Sequence, residues 1–473
     1  MADYTSQSIL VVGAGTFGIS TAYHLSLRGY KKVTLIDRFS PPSTDAAGTD
    51  INKTIRFDYD KPQYAHLAEE AMEFWTSNSG PLAGLFHRIG WIMAASDHAK
   101  AFIDATYQNR KNGKGAVEYI SPEEIQARFP EFKGNLKNWK SLWGSEAGWA
   151  PSDQALVRLA AAASINGVNF TFGKNGHAVR LLNDTKGNCD GVVSQSGAVH
   201  TADKIILACG PQTENLIDTK SEISAKAMCV AMIQLTEIER EKYGNLPMVD
   251  HFEMGKSPTC SSSGHKFPPI STSLCLQWLS GAAHRNISHS PPSRHADPIF
   301  HGMLFPPDQH GLLKVCSCRY VTNRHHSPIQ QVSIGRSHGE FPDDRVPTQI
   351  QTELRAWIRE LLPELADRPF CQTRMCWDAA TKDSNFRLTP HPAHPNLFIA
   401  TGGSLHGFKF LPNIGKYIVD MVEGRLDPEL QSLWAWRFGS DPPASTVERH
   451  PFPERDLGEL DGWNGGKPDR ALL

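Results

Sequence analysis

Nowhere in the 473 residues do apolar side chains run together for the ~18 positions that a membrane-spanning helix requires. The first apolar run, Ile9 to Val12, is short and leads straight into glycines, so it suits neither a membrane span nor a secretory h-region. Paired cysteines are missing as well. The nine cysteines (Cys189, Cys209, Cys229, Cys260, Cys275, Cys316, Cys318, Cys371, Cys376) include no C-x-x-C, which fits neither a zinc knuckle nor a disulfide scaffold and points to a reducing compartment. Charge of one sign is not in excess: 48 basic residues stand against 50 acidic, for a net charge of -2. No like-charge block is present, so neither nucleic acid nor an anionic membrane is expected as a partner. The histidines lack metal-ligand spacing, and no metal site is expected. The chain ends Arg470-Ala471-Leu472-Leu473 rather than in SKL, which gives no support to a peroxisomal address and leaves a cytoplasmic one. At ~100 to 200 residues per domain, two or three structural units are expected, and the ligands that remain are small molecules.

The most informative segment is Ser8 to Asp37. Ser8-Ile9-Leu10-Val11-Val12 is apolar and rich in β-branched residues, as in a strand buried on both faces of a parallel sheet. Gly13, Gly15 and Gly18 follow in GxGxxG spacing. The first glycine permits a tight turn, the second lets a pyrophosphate approach the backbone, and the third lets the helix pack on the strand. The helix is expected to run to about Arg28, with Gly18, Ala22 and Leu25 on one face and Gly29 as a left-handed terminator. The next strand, Lys32 to Ile36, ends in Asp37, placed to accept hydrogen bonds from an adenosine ribose. This is a dinucleotide-binding unit, and by itself it does not distinguish FAD from NAD. A second strand-like segment, Thr201 to Gly210, ends in small residues, as does the strand that returns to the Rossmann sheet in FAD-dependent oxidoreductases.

With those pieces placed, the chain resembles the amine-oxidising flavoproteins that include monomeric sarcosine oxidase, L-pipecolate and saccharopine oxidases and the fungal fructosyl amino acid oxidases (amadoriases). Similarity runs from about Ser8 to Trp434, and four stretches carry it. The first, Ala47-Gly48-Thr49-Asp50-Ile51-Asn52-Lys53-Thr54-Ile55-Arg56, looks like the amadoriase loop that passes the flavin. Arg56 falls where relatives place an arginine on the substrate carboxylate, a task suited to a planar, bidentate guanidinium. The second, Gly311 to Val315, is an apolar strand carrying Lys314, which the resemblance places beside the flavin to stabilise the anion formed as O₂ accepts an electron. The third, Arg374 to Asp383, looks like the loop whose cysteine bonds covalently to the flavin, and it selects Cys376 over Cys371. The fourth runs from Leu397 to Lys416: a strand ending in Thr401-Gly402-Gly403, a glycine-rich turn, then a helix towards Val422 whose amides are expected to face the flavin. There Lys409 matches a lysine that shares the substrate carboxylate. His406, within the turn, is expected near the flavin, whereas His325, His326, His391 and His394 read as solvated.

The resemblance implies an α/β protein, an FAD-binding Rossmann-like domain interleaved with a second α+β substrate domain built on an antiparallel sheet. The FAD domain is assigned to 1–85, 148–223 and 365–435 and the substrate domain to 86–147 and 224–364, with 436–473 as a C-terminal tail that is expected to be loose from Pro451 to Leu473. Within the substrate domain, Lys256 to Phe300 read as an insertion: 45 residues with ten Ser, six Pro, four His and no Glu, without helical or strand periodicity. FAD contacts are implied for Gly13, Gly15, Thr16, Phe17, Gly18, Asp37, Arg38, Asn52, Lys53, Val179, Cys209, Gly210, Cys376, Gly403, Gly407, Phe408 and Lys409. Catalysis is implied for Arg56, Lys314 and Lys409, with covalent FAD through Cys376. The implied reaction is oxidation of the C–N bond of a secondary-amine amino acid by a monomer using O₂, giving an imine and H₂O₂. Three alternatives stay open: a fructosyl amino acid oxidase, a dehydrogenase with a protein acceptor, and a flavin-loaded pseudoenzyme whose insertion blocks the pocket.

Overall fold

The computed structural model describes residues 4–59, 61–96, 99–185, 187–252, 302–325, 327, 332–437 and 454–465. The expected insertion at 256–300 lies outside these, as do His326 and the terminal residues 466–473. Two large sheets form the frame. The first has six strands in the order Arg387–His391, His394–Thr401, Lys204–Leu207, Ser8–Val12, Lys32–Ile36, Asn169–Thr171. All its pairings are parallel except that of Arg387–His391 with His394–Thr401. Ile9, Leu10, Val11 and Val12 are all buried, as both-face burial in a parallel sheet requires. The helix Thr16–Leu27 ends at Arg28, and Gly29 takes the left-handed conformation at φ +89°. Gly18 is where helix meets turn: a Cβ there would lie 1.8 Å from the Gly13 carbonyl oxygen. The helix Ile414–Val422 packs across Thr16–Leu27, and a Cβ on Gly415 would lie 2.1 Å from the Ser20 carbonyl oxygen, so the two backbones touch.

The second sheet has ten strands. In order they are Arg455–Asp456, Val321–Thr322, Ser224–Gln234, Leu312–Ser317, Gly302–Phe305, Met248–Phe252, Trp91–Ala95, Lys140–Gly144 and Glu118–Ile120, with Gln372–Ala380 also pairing with Ser224–Gln234. The pairings are antiparallel except at Met248–Phe252 with Trp91–Ala95 and at Val321–Thr322 with Arg455–Asp456. The amphipathic helix Thr348–Leu361 covers one face, burying Leu354, Trp357 and Leu361 against Leu313 and Val315. Strand alternation then turns Lys314 and Cys316 to the other face, which looks towards the six-stranded sheet.

Two expectations are corrected. The strand Gln372–Ala380 belongs to the large sheet, so the unit expected to begin at 365 opens with a substrate-side strand. Part of the supposed tail is docked: Arg455 and Asp456 pair with Val321 and Thr322, and Leu457 is buried. The Arg455 guanidinium reaches Glu353 at 2.7 Å, a long-range contact with no local sequence pattern.

Candidate active site

Between the two sheets lies a cavity of about 500 Å³. One end is made by the glycine turn. Gly13 sits at φ +111° and donates its N–H to the Ile36 carbonyl at 2.8 Å, so the chain folds back immediately after the first strand. Gly15, Thr16 and Phe17 line the cavity, as do Val179, Cys209 and Gly210. Asp37 closes this end. Its carboxylate accepts from the Ala14 N–H at 2.7 Å and the Phe39 N–H at 2.8 Å; desolvation pushes its pKa up, and these hydrogen bonds oppose the shift. Arg38, beside it, pairs with Asp45 at 3.1 Å and Glu340 at 2.9 Å.

The middle of the cavity is a buried charge cluster. Lys314, 1% exposed, places its ammonium 3.0 Å from Asp50 and donates to the Asn52 carbonyl at 2.5 Å. Lys53 reaches the same Asp50 oxygen at 3.1 Å. Burial opposes ionisation of Asp50, yet the two ammonium groups hold its carboxyl well below the usual range. Lys53 also donates to the Cys376 sulfur at 3.5 Å, and the Cys376 thiol donates to the Ala47 carbonyl at 3.3 Å. Cys371 is exposed and lies off the cavity wall.

At the other end two cations flank one ring. The Arg56 guanidinium carbon and the Lys409 ammonium each lie 5.3 Å from the Tyr59 ring centroid, and Arg56 lies as far from Trp91. Arg56 donates to the Asp58 backbone carbonyl. Lys409 donates to the Tyr59 hydroxyl and the His406 carbonyl, both at 2.9 Å. The Tyr59 hydroxyl meets the His406 Nδ1 at 3.0 Å, and His406 lines the cavity. This end also holds the buried Asp58 carboxyl, whose pKa burial pushes up while the Arg56 and Lys409 charges oppose the shift.

Of the residues singled out from sequence, Gly18 and Asn52 alone do not line the cavity. Gly18 is the packing contact described above. The Asn52 side chain is fully buried, with no hydrogen-bond partner for its amide among the described residues. A further correction concerns the helix after the glycine-rich turn. Ile414–Val422 contributes nothing to the wall; the 3₁₀ turn Phe408–Phe410 does so instead, held by Ser404 and Leu405 at positive φ. Asp378 explains that turn. Its carboxylate accepts the Leu405 N–H at 2.7 Å and the Ala379 N–H at 2.8 Å, so the Cys376 strand and the glycine-rich turn are tied together. Sequence reasoning assigned no role to Asp50, Tyr59, Asp250 or Asp378, although Asp250 and Asp378, acids within largely apolar strands, carried a usable signal.

A family model for FAD dependent oxidoreductases matches residues 8–255 and 285–421. The chain belongs to that family. Among curated relatives, L-saccharopine oxidase of Schizosaccharomyces pombe is 30% identical over 91% of this chain and 93% of its own length. Monomeric sarcosine oxidase of Bacillus sp. is 23% identical over 88% of this chain and 92% of its own. Among solved structures, fructosamine oxidase (Amadoriase II) of Aspergillus fumigatus superposes with a TM-score of 0.80 at 27% identity, covering 100% of both chains. The oxidoreductase therefore has the mixed α/β fold expected of it, and among its described residues no helix is long and apolar enough to cross a membrane.

Proposed function

We propose that this FAD-dependent oxidoreductase oxidises the C–N bond of a secondary-amine amino acid, N-alkylated or cyclic, with O₂ as acceptor. The observation that carries the reading is the pair of cations, Arg56 and Lys409, which both line the dinucleotide cavity and are set about the Tyr59 ring. The cavity fits the cofactor. A Cβ on Gly15 would meet nothing nearer than the Ala46 Cβ at 3.7 Å, so the space against the turn is open to a pyrophosphate, and Asp37 lies where a ribose would end. Thr16, Phe17, Arg38, Val179, Cys209 and Gly210 would hold the dinucleotide, and Lys53, Cys376, Gly403, Gly407 and Phe408 its ring system. FAD bound there supplies the two-electron acceptor that the amine needs and O₂ regenerates. Arg56 and Lys409 hold the substrate carboxylate, so that binding energy is used for orientation. The amine loses two hydrogens and becomes an imine, O₂ gains them as H₂O₂, and water hydrolyses an open-chain imine. The structural likeness to fructosamine oxidase favours a second reading, oxidation of fructosyl amino acids. Anaerobic titration with sarcosine, pipecolate, saccharopine and a fructosyl amino acid tests both. Bleaching of the flavin spectrum by one of them, reversed by air, is expected; no bleaching by any of them would leave a flavin-binding protein without this activity.

Two further outcomes are expected. Flavin should stay with acid-precipitated protein, and Cys376→Ala should release it while Cys371→Ala should not, because Cys376 alone of the two lines the cavity. Wild-type flavin in the acid supernatant contradicts the covalent bond. Lys314→Met should slow reoxidation of the flavin by O₂ about 10²-fold, the scale of removing one preorganised electrostatic donor. Reduction by substrate, which creates no new anion beside the lysine, should change far less. Stopped-flow comparison of the half-reactions decides, with thermal unfolding recorded in parallel because Asp50 loses one of its two ammonium partners.

A further inference from the structure

The strand Met248–Phe252 is buried along its length except for its partly exposed end, yet it carries an acid at its centre. Alternation sends Val249 into the core beneath the Thr348–Leu361 helix, with the His251 ring beside Trp139 and Trp357. Asp250 and Phe252 face the cavity. Asp250 is 5% exposed, and the partner strands place Met93 and Met303 opposite it, neither of which can pair with a carboxylate. The hydrogen bond it receives among the described residues comes from the Cys318 thiol at 3.6 Å, a weak donor. No ion pair joins it to a cation among those residues. The other cavity acids are differently placed: Asp50 holds two lysines, Asp45 and Glu340 pair with Arg38, Asp37 and Asp378 each accept two backbone N–H groups, and Asp58 lies in the field of Arg56, Arg110 and Lys409. A buried carboxylate with so little compensation is costly to the fold unless a ligand supplies the charge.

We infer that Asp250 is a specificity residue, receiving a second, cationic group on the substrate, a primary ammonium distinct from the amine that is oxidised. This rests on the proposed function, since Arg56 and Lys409 are taken to hold the carboxylate of the same molecule. The charge pattern is complementary: two cations, Arg56 and Lys409, for the carboxylate, and in the same cavity wall an acid that is ion-paired to neither, although the Arg56 charge acts on it. The titratable or charged groups acting on Asp250 are Arg56, Cys318 and Tyr320. Burial pushes its carboxyl up to about 7, and Arg56 and the Cys318 hydrogen bond oppose the shift. The carboxylate form therefore predominates above about pH 7 in the ligand-free site, and preference for an ammonium should weaken as pH falls through that value.

The test uses ligands that bind without being oxidised. In alkylthioacetates a sulfur stands where the reacting amine would, and a matched ω-aminoalkylthioacetate ends in an ammonium where its partner ends in a methyl. Calorimetric titration of the holoenzyme with both series, over stepped chain lengths, should show one length at which the ammonium ligand binds about thirtyfold tighter, on the order of 2 kcal/mol. In Asp250→Asn, similar in volume but uncharged, that preference should disappear while the methyl-terminated ligand binds as before; in Asp250→Glu part of it should remain at a shorter chain length. Equal binding of the two series to wild type, absence of binding by either, or a preference that survives in Asp250→Asn overturns the inference. Matched N-alkylglycines and N-(ω-aminoalkyl)glycines separate the two proposals. An ammonium preference in calorimetry without bleaching of the flavin by any amine faults the proposed oxidation and leaves Asp250 as a cation site. Bleaching with no ammonium preference faults Asp250 alone.

Discussion

Replacing Gly15 by valine is expected to yield a folded protein that binds no flavin, whereas the same change at Gly18 is expected to prevent folding. The three glycines of the turn face different neighbours. At Gly18 a Cβ would sit 1.8 Å from the Gly13 carbonyl oxygen, and at Gly13, already at φ +111°, 2.4 Å from the Ala208 carbonyl oxygen. Both contacts are backbone on backbone, so relief requires the helix or the neighbouring strand to move. Gly15 stands at φ -83° at the N-cap of Thr16–Leu27, and its added Cβ has ordinary contact with Ala46 alone, at 3.7 Å. Its free side is the cavity, where the branched side chain would occupy the space a pyrophosphate needs. The visible flavin spectrum per mole of purified protein should therefore vanish in Gly15→Val while the circular dichroism of the fold persists. Thermal unfolding should fall towards that of the apoprotein, because a ligand that binds only the native state stabilises it by mass action. A full flavin spectrum in Gly15→Val would remove the Rossmann turn from the cofactor site.

These contrasts explain which parts of the molecule were legible in the sequence. The Rossmann turn was, because its requirements are local: glycines at fixed offsets, an apolar strand before them and an acid at the end of the next strand. The choice between Cys371 and Cys376 was legible too. The CW-containing loop selects Cys376 by its resemblance, and Cys376 lines the cavity from within the strand Gln372–Ala380, whereas Cys371 precedes that strand and is exposed. Lys314 could be placed in an apolar strand, but Asp50, the group that makes its burial tolerable, lies 264 residues away and no spacing rule connects them. The helix towards Val422 is present as Ile414–Val422, but its amides do not reach the cavity, since Ser404 and Leu405 at positive φ and the Asp378 carboxylate set a 3₁₀ turn, Phe408–Phe410, in front of it that glycine spacing does not reveal. The docked segment at Arg455–Leu457 was misjudged for a similar reason: its polar composition resembles a tail, while its pairing with Val321–Thr322 and the contact with Glu353 are long-range facts.

Arg56→Met is expected to weaken amino-acid substrates selectively, by about 2 to 5 kcal/mol in transition-state stabilisation, the usual cost of removing one partner of a desolvated, hydrogen-bonded charge pair. That corresponds to roughly thirty to several thousand-fold in kcat/KM. Methionine keeps much of the side-chain length and the apolar contact with Tyr59 and Trp91 while removing the charge and the bidentate fork. Lys409 remains in the variant, 5% exposed and anchored on the Tyr59 hydroxyl and the His406 carbonyl, so a single cation is left for the carboxylate. A point charge attracts the carboxylate without fixing its plane, so part of the loss should fall on kcat through misorientation of the reacting carbon. Amines of the same skeleton but without a carboxylate use neither cation, and their kcat/KM should change little. Arg56→Lys should recover attraction but not the two parallel hydrogen bonds, and should restore KM more than kcat. Equal losses for carboxylate-bearing and carboxylate-free amines in Arg56→Met would show that the guanidinium shapes the cavity through its contacts with Tyr59, Trp91 and the Asp58 carbonyl instead of reading the substrate.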